Sequence, residues 1–301
     1  MRYADVDKLI DHISKLKNLY SANCIIVYDD MLLLNKTRAK DIFRKLAPLK
    51  LRIELPNGLS PAYMDEELVG LMYIAGVRSV RLAIESGDEW VIRNLVNKPL
   101  RINKVDAVME ILKRYNIWVV GFFVLGLPGE TDNHRKITRD KILEWGIDQA
   151  SISIASPIKG SLLYEQCINE GYIKNESNNI SVSGFLFGEN IINTEDFTAE
   201  QISIQSYLFN LEVNFIKSNR LRIGDYNSAD KFFSFVSATY KNHGFAHYLL
   251  AYTRQKIGDL ESAQEHYKIA EKIYAEDASW HSYFDHFGIR FDKMPSDLIF
   301  N

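Results

Sequence analysis

The chain has 301 residues, 47% of them hydrophobic and 25% charged, enough to bury one large core or a core with a smaller appendage. Its 36 basic and 39 acidic residues leave a net charge of −3, and no basic tract stands out, which argues against a nucleic-acid partner. The longest apolar run, Trp118 to Leu127, is too short to span a bilayer, and the N-terminus lacks the basic and apolar regions of a signal peptide, so a cytoplasmic setting and no membrane partner are expected.

Up to about residue 155 the hydrophobic pattern alternates between two periods. Val6, Leu9, Ile10, Ile13, Leu16 and Leu19 recur at helical spacing and predict a first helix. A β-rich run from Cys24 to Tyr28 follows and ends at Asp29 and Asp30. Further helices are predicted over about 37–46, 64–75, 103–115 and 133–145, and strands over 51–55, 79–84, 118–125 and 149–155. The strand bodies are nearly continuous apolar runs, the pattern of a sheet covered on both faces. Strict alternation of strands and helices predicts an α/β fold with a parallel sheet, either doubly wound or curled into a barrel.

Beyond Pro157 the pattern changes. Residues 160–197 read as irregular, with a polar loop at Asn175 to Asn179, and from Ala199 the pattern is helical nearly to the end. Gly224-Asp225-Tyr226-Asn227-Ser228-Ala229 recurs 34 residues later as Gly258-Asp259-Leu260-Glu261-Ser262-Ala263. That is the period of the tetratricopeptide repeat, and Ala246, Leu249, Tyr252, Gly258, Ala263 and Ala270 fall at its small or apolar positions. An ordinary helical bundle with a chance repeat is the alternative. Two copies are few, so this part is expected to lean on the preceding domain.

In parallel βα architectures the functional residues collect at the carboxyl ends of the strands. Here those ends hold Asp29 and Asp30, with Asn35 in the following loop; Pro56-Asn57-Gly58; Glu85-Ser86-Gly87; Gly126 to Thr131; and Ser156 to Gly160. Asp30 and Asn35 could cap a helix or meet a ligand. Glu85 could pair with Arg81 or Arg93, but the polar Ser86-Gly87 beside it favours a site. Gly126 and Gly129 could simply form a turn. A phosphate cradle is disfavoured, because neither GxGxxG nor GxxxxGK[ST] occurs. His243 and His247 stand one helical turn apart, and they read as packing or a solvated face rather than as metal ligands. No Ser/His/Asp set or Cys/His pair can be assembled at the strand ends, and none of the seven histidines lies there. Any acid–base chemistry would therefore rest on carboxylates.

The stretches IIVYDD, ELPNGL, VRLAIESGDEWVIRNLVNK, VVGFFVLGLPGET and SPIKGSLLYEQ, in this order and spacing, resemble the radical S-adenosylmethionine enzymes. The likeness is to the subgroup often preceded by a cobalamin-binding domain; it covers roughly residues 1–200, and NIINTEDFTAEQI resembles the stretch after that subgroup's core. It implies a partial (β/α)6 TIM-like barrel over 1–160, a post-barrel extension over 161–200 and a helical, tetratricopeptide-like region over 201–301. In the family, three cysteines of a C-x3-C-x2-C loop after the first strand hold a [4Fe-4S] cluster. Its open iron binds S-adenosylmethionine and reduces it to a 5′-deoxyadenosyl radical. By resemblance, Asp29 and Asp30 end the second barrel strand and, with Asn57, face cofactor or substrate. Glu85 and Ser86 end the fourth and hold the methionine or ribose part. Phe123, Leu125, Gly126 and Pro128 supply the backbone and apolar wall for the adenine, with Ala155 and Pro157 nearby.

The departure from the family is in the cysteines. Only Cys24, inside the second barrel strand, and Cys167, beyond the sixth, are present, and the cluster loop and first strand are missing. Either the chain is the C-terminal part of a longer protein, with a cluster loop and a cobalamin-binding domain upstream, or it is a degenerate scaffold whose helical repeats bind a protein partner. The intact strand-end motifs favour the first. As it stands the chain is expected to hold no metal and not to reduce S-adenosylmethionine; its substrate, a small molecule or otherwise, is not legible.

Overall fold

The computed structural model describes residues 3–173 and 191–292, so the polar loop read at Asn175 to Asn179 lies outside the described residues. Two compact units divide the chain, Met1–Ser203 and Ile204–Asn301.

The first unit is built on parallel strands: β1 (Cys24–Ile26), β2 (Arg52–Glu54), β3 (Ser79–Glu85), β4 (Trp118–Leu125) and β5 (Gln149–Ile154). One ladder joins β1 to β2 and another joins β3, β4 and β5; isolated parallel bridges, Ile53–Val77 and Leu59–Leu82, link the two. Spatial order thus follows chain order. Parallel neighbours need a crossover, and α2 (Lys36–Leu46), α3 (Glu66–Ala75), the pair α4 (Glu89–Asn94) and α5 (Ile102–Arg114), and α6 (Asp132–Trp145) supply one between each successive pair. α1 (Val6–Tyr20) precedes β1.

Local chemistry sets these boundaries. The side chains of Asn35 and Asp65 accept the amides of Arg38 and Leu68, satisfying orphan donors where α2 and α3 begin. Thr131 and His134 close a reciprocal capping box at the start of α6. Left-handed Gly76 and Gly146 end α3 and α6. Asp148 is buried, and its carboxylate accepts the Val119 amide at 2.8 Å where β4 starts.

The sheet differs from the sequence expectation in one respect that matters for function. On β3, Val80, Leu82 and Ile84 are fully buried, while Arg81, Ala83 and Glu85 are only half-buried. One face of the sheet therefore shares a core with the apolar stripes of α2, α3 and α5, and the opposite face is open. Ile26 at 57% exposure and the exposed Ser153 belong to that open side. The expectation that both faces are covered is corrected.

Residues 160–197, read as irregular, contain a two-turn helix, α7 (Leu162–Asn169), capped by Ser161. The second unit comprises the rest of α8 (Ala199–Leu211), a wide π turn (Glu212–Ile216), α9 (Asn219–Arg222), α10 (Tyr226–Thr239), α11 (Gly244–Ile257), α12 (Leu260–Glu276) and α13 (Ala278–His286). Residues 244–253 of α11 are all buried, and α11 packs against both α10 and α12. The sequence repeat is a repeated way of starting a helix. Gly224 (φ 75°) and Gly258 (φ 89°) turn the chain, and Asp225 and Asp259 cap α10 and α12 through the Ser228 and Ser262 amides. No helix among the described residues is long and apolar enough to cross a membrane.

Candidate functional site

The carboxyl ends of β1 to β4 lie side by side because the strands are parallel and in register. Glu85 ends β3 with φ 77°, a left-handed conformation rare for a residue with a side chain, where the β3–β4 register slips between Ala83 and Glu85. The bulge is held by Lys98, whose ammonium donates to the Ala83 carbonyl at 2.6 Å and to Glu85 Oε1 at 2.9 Å. Neither Arg81 nor Arg93, the partners considered from sequence, makes that pair: Arg81 donates to the Leu55 carbonyl and Arg93 pairs with Glu89. Outlying backbone geometry of this kind is retained where the surroundings impose it, and it concentrates at functional sites.

Beside this bulge is a cavity of about 480 Å³ lined by Asp30, Leu33, Gly58, Tyr63, Ala83 and Lys98, among others. Gly58 is required here, since a Cβ would lie 2.9 Å from Ala83 Cβ and 3.2 Å from the Phe122 ring. Across the cavity mouth Asn57 donates to Asp30 Oδ1 at 2.6 Å, and Asp29 accepts the Met31 amide at 2.9 Å. Asp30 therefore does not cap a helix; Asn35 does.

The glycine corner after β4 is closed from within. Glu130 is fully buried, and its Oε2 accepts the Gly126 amide at 2.6 Å, while its own amide bonds the Leu127 carbonyl. Arg135 donates to the Glu130 carbonyl at 3.1 Å and lies 3.4 Å from the carboxylate. Burial pushes this carboxyl up to about 7, although the Gly126 amide and Arg135 pull the other way. Oε1 has no hydrogen-bond partner among the described residues. An amide-lined corner could in principle cradle an external anion; here the chain supplies its own.

The structure sorts the residues expected to contact a cofactor. Glu85, Asp30 and Asn57 stand at the open strand ends. Ser86 does not: it is buried, with its hydroxyl 2.9 Å from that of Thr138 and accepting the Asp88 amide. Phe123 and Leu125 are each 1% exposed and lie on the covered face with Gly121, whose added Cβ would strike the Phe123 ring at 2.6 Å. Their side chains form no open wall; the half-buried Phe122 and Val124 occupy that place. Strand alternation imposes the exchange. Gly126 offers no free amide, for Glu130 holds it, and Pro128, Ala155 and Pro157 are buried. The Ala155 amide donates to the Leu125 carbonyl at 2.8 Å, extending the β4–β5 ladder.

The thiols do not fit an iron–sulfur cluster. Cys24, on β1, accepts from Arg52 Nε at 3.4 Å, whereas Cys167 is buried in α7 with its thiol pushed up to about 11 by burial. Two cysteines on separate elements cannot give the three converging thiolates a site-differentiated cluster needs. Among the described residues no group of three or more His, Cys, Asp or Glu is placed to hold a metal ion. His243 caps α11 through the Ala246 amide, and His247 bonds His266 and the Lys241 carbonyl.

Residues 1–142 match the family model of the Radical SAM superfamily. Cytidylyl-2-hydroxyethylphosphonate methyltransferase of Streptomyces wedmorensis is 29% identical over 221 residues, 71% of this chain and 41% of that protein. An uncharacterized methyltransferase of Pyrococcus horikoshii is 26% identical over 202 residues, 66% of this chain and 42% of that one. Among solved structures, the radical S-adenosylmethionine methyltransferase TsrM from Kitasatospora setae, with cobalamin and a [4Fe-4S] cluster bound, has 16% identity and a TM-score of 0.46, covering 51% of this chain and 31% of its own. The chain spans less than half the length of the curated relatives it matches.

Proposed function

The chain carries a Radical SAM domain over residues 1–142, and from that premise we propose that it is the core of a radical S-adenosylmethionine enzyme. In this reading the sheet is a partial (β/α)6 barrel without its first strand, and the open rim at the ends of β1 to β4 holds S-adenosylmethionine. The Glu85–Lys98 pair carries the reading: a carboxylate and an ammonium 2.9 Å apart on a bulge whose backbone no local turn requires. The amino-acid end of S-adenosylmethionine presents the complementary ammonium and carboxylate, so it can replace the pair head to tail. Glu85 then takes the ligand's ammonium and Lys98 its carboxylate, both as charge-assisted hydrogen bonds. Phe122 and Val124 offer an apolar surface for the adenine. Asp30 and Asn57 border the cavity left for a substrate.

When bound, a [4Fe-4S] cluster supplies the electron that cleaves the cofactor. Its thiolates have to come from a segment outside these 301 residues, because Cys24 and Cys167 do not fit it. The chain alone thus binds S-adenosylmethionine without cleaving it, and an upstream cobalamin-binding domain belongs to the same reading. Two relatives carry methyltransferase names, which favours methyl transfer to a small molecule as the reaction class.

Calorimetric titration of the chain with S-adenosylmethionine tests this. Saturable binding is expected, about tenfold weaker in Lys98→Met and in Glu85→Gln, the loss of one charge-assisted bond. Anaerobic reduction should yield 5′-deoxyadenosine only after the upstream segment is joined and its cluster reconstituted. No binding by either form, or unchanged binding in both variants, rules the reading out; binding without 5′-deoxyadenosine from the extended form points to the scaffold instead.

A further inference from the structure

The second unit holds a cleft of about 560 Å³ that shares no residue with the strand-end rim. Its walls are aromatic. Tyr207 on α8 and Trp280 on α13 face it, with Tyr240 from the turn before α11 at 64% exposure. Tyr207 is backed by Tyr283, ring centroids 4.9 Å apart. Trp280 comes close to the start of α11 because residue 244 is glycine: a Cβ there would lie 3.0 Å from the indole and 2.8 Å from Phe284.

Every polar side chain of the cleft can donate, the Tyr207 and Tyr240 hydroxyls and Asn242 being able to accept as well. His243 lies between Phe215 and Trp280, 4.5 and 4.8 Å from their ring centroids, and burial lowers it to about 4, so the imidazole is neutral at physiological pH. Its Nδ1 accepts the Ala246 amide at 3.1 Å, which places the ring proton on Nε2. Asn210 Oδ1 is taken by Asn214 at 2.7 Å, leaving its NH2 group as the free half. Asn242 adds another carboxamide, and the exposed Lys241 adds the one cation among the described lining residues. Among the described residues no carboxylate lines the cleft. Asp277, near Tyr207, is bonded to the Ser279 and Trp280 amides at the start of α13.

We propose that this cleft binds a small planar aromatic carboxylate, its ring between Tyr207, Tyr240 and Trp280 and its carboxylate toward Lys241, His243 Nε2 and the Asn210 amide. Flat aromatic walls favour a flat ring. Convergent donors and one ammonium, with no carboxylate among the described lining residues, favour an anionic acceptor over a cation. The inference is independent of the strand-end rim.

Equilibrium dialysis of the chain against 2-naphthoate, with neutral 2-naphthamide as control, tests it. Saturable uptake of the acid is expected, with the amide about tenfold weaker for want of charge-assisted bonds. Lys241→Ala should weaken uptake about threefold, since an exposed ion pair is worth little, and Tyr240→Ala by about threefold to tenfold. Both positions are exposed, and an unchanged helical circular-dichroism spectrum verifies the fold. Lys98→Met should take up the acid as the parent chain does. Non-saturable uptake, equal affinity for acid and amide, parent affinity in both cleft variants, or loss in Lys98→Met overturns the proposal.

Discussion

Glu130 holds together the corner that follows β4, and it does so as a buried, titratable group. Below about pH 4.5 its carboxyl is protonated in both the folded and the unfolded chain. As pH rises toward 7 the unfolded chain releases the proton first, because burial keeps the folded carboxyl up to about 7. The unfolded state then binds fewer protons, so this residue's contribution to stability falls with rising pH, by about 3 kcal/mol in all. Glu130→Gln keeps an acceptor for the Gly126 amide but does not titrate. In urea unfolding, the stability of the parent chain relative to Glu130→Gln should therefore drop by about that amount between pH 4.5 and pH 8. A difference that stays flat across this range would show that the carboxyl is not the buried acid described here. The sequence displayed the corner's glycines and its acidic residue, but not that the acid folds back onto the amides. Lys98 was hidden for a similar reason. Arg81 and Arg93 are nearer in sequence to Glu85, whereas Lys98 returns to it from 13 residues on.

At the scale of elements, the two Gly-Asp turns show how a sequence repeat becomes a structural one. Each aspartate satisfies an orphan amide, at 3.1 Å for Asp225 and 3.2 Å for Asp259, and loss of such a cap costs about 1 kcal/mol. Asp225 also bonds the largely buried guanidinium of Arg220 at 3.1 Å, while among the described residues the Asp259 side chain makes only its capping bond. Asp259→Ala should thus cost about 1 kcal/mol and Asp225→Ala about 2 to 3 kcal/mol, with Asp259→Asn close to the parent, read from chemical denaturation. Equal losses at the two positions would mean that Arg220 gains nothing from Asp225. The long elements were legible because their patterns persist over several turns or a whole strand. α4 and α7 were not, since helices of 6 and 8 residues give periodicity little length in which to show. Nor was the exposed side of β4 legible: Phe122 and Phe123 are chemically alike, and only the neighbours of Gly58 and Gly121 tell which faces out.

For the whole molecule, alternating strands and helices define a parallel sheet but not its order, because order is decided by pairings far apart in sequence. The sheet runs β1 to β5 in chain order with no reversal, whereas a doubly wound sheet reverses and binds ligands at that switch point. The helical unit poses the opposite problem. Two repeat copies suggested that it would lean on the preceding domain, yet its core is assembled from its own residues. Leu211, Phe215, Phe233, Phe245, Leu249 and Phe284 form one buried cluster with Tyr267, Tyr274 and Phe291 packed around it. Phe245 alone contacts Trp280, Phe284 and Phe287 with centroid separations of 5.9, 4.3 and 5.6 Å. A unit of about 100 residues with such a core is large enough to fold alone. The fragment 199–301 begins at Ala199 because α8 runs through the unit boundary, and cutting within it would leave amides without partners. This fragment should be monomeric and helical and should unfold in one cooperative thermal transition at a midpoint independent of concentration. It should also keep the 2-naphthoate affinity of the full chain. A broad, non-cooperative melt would uphold the expectation that the helices depend on the preceding unit, and a cooperative melt with lost affinity would place the ligand outside the cleft.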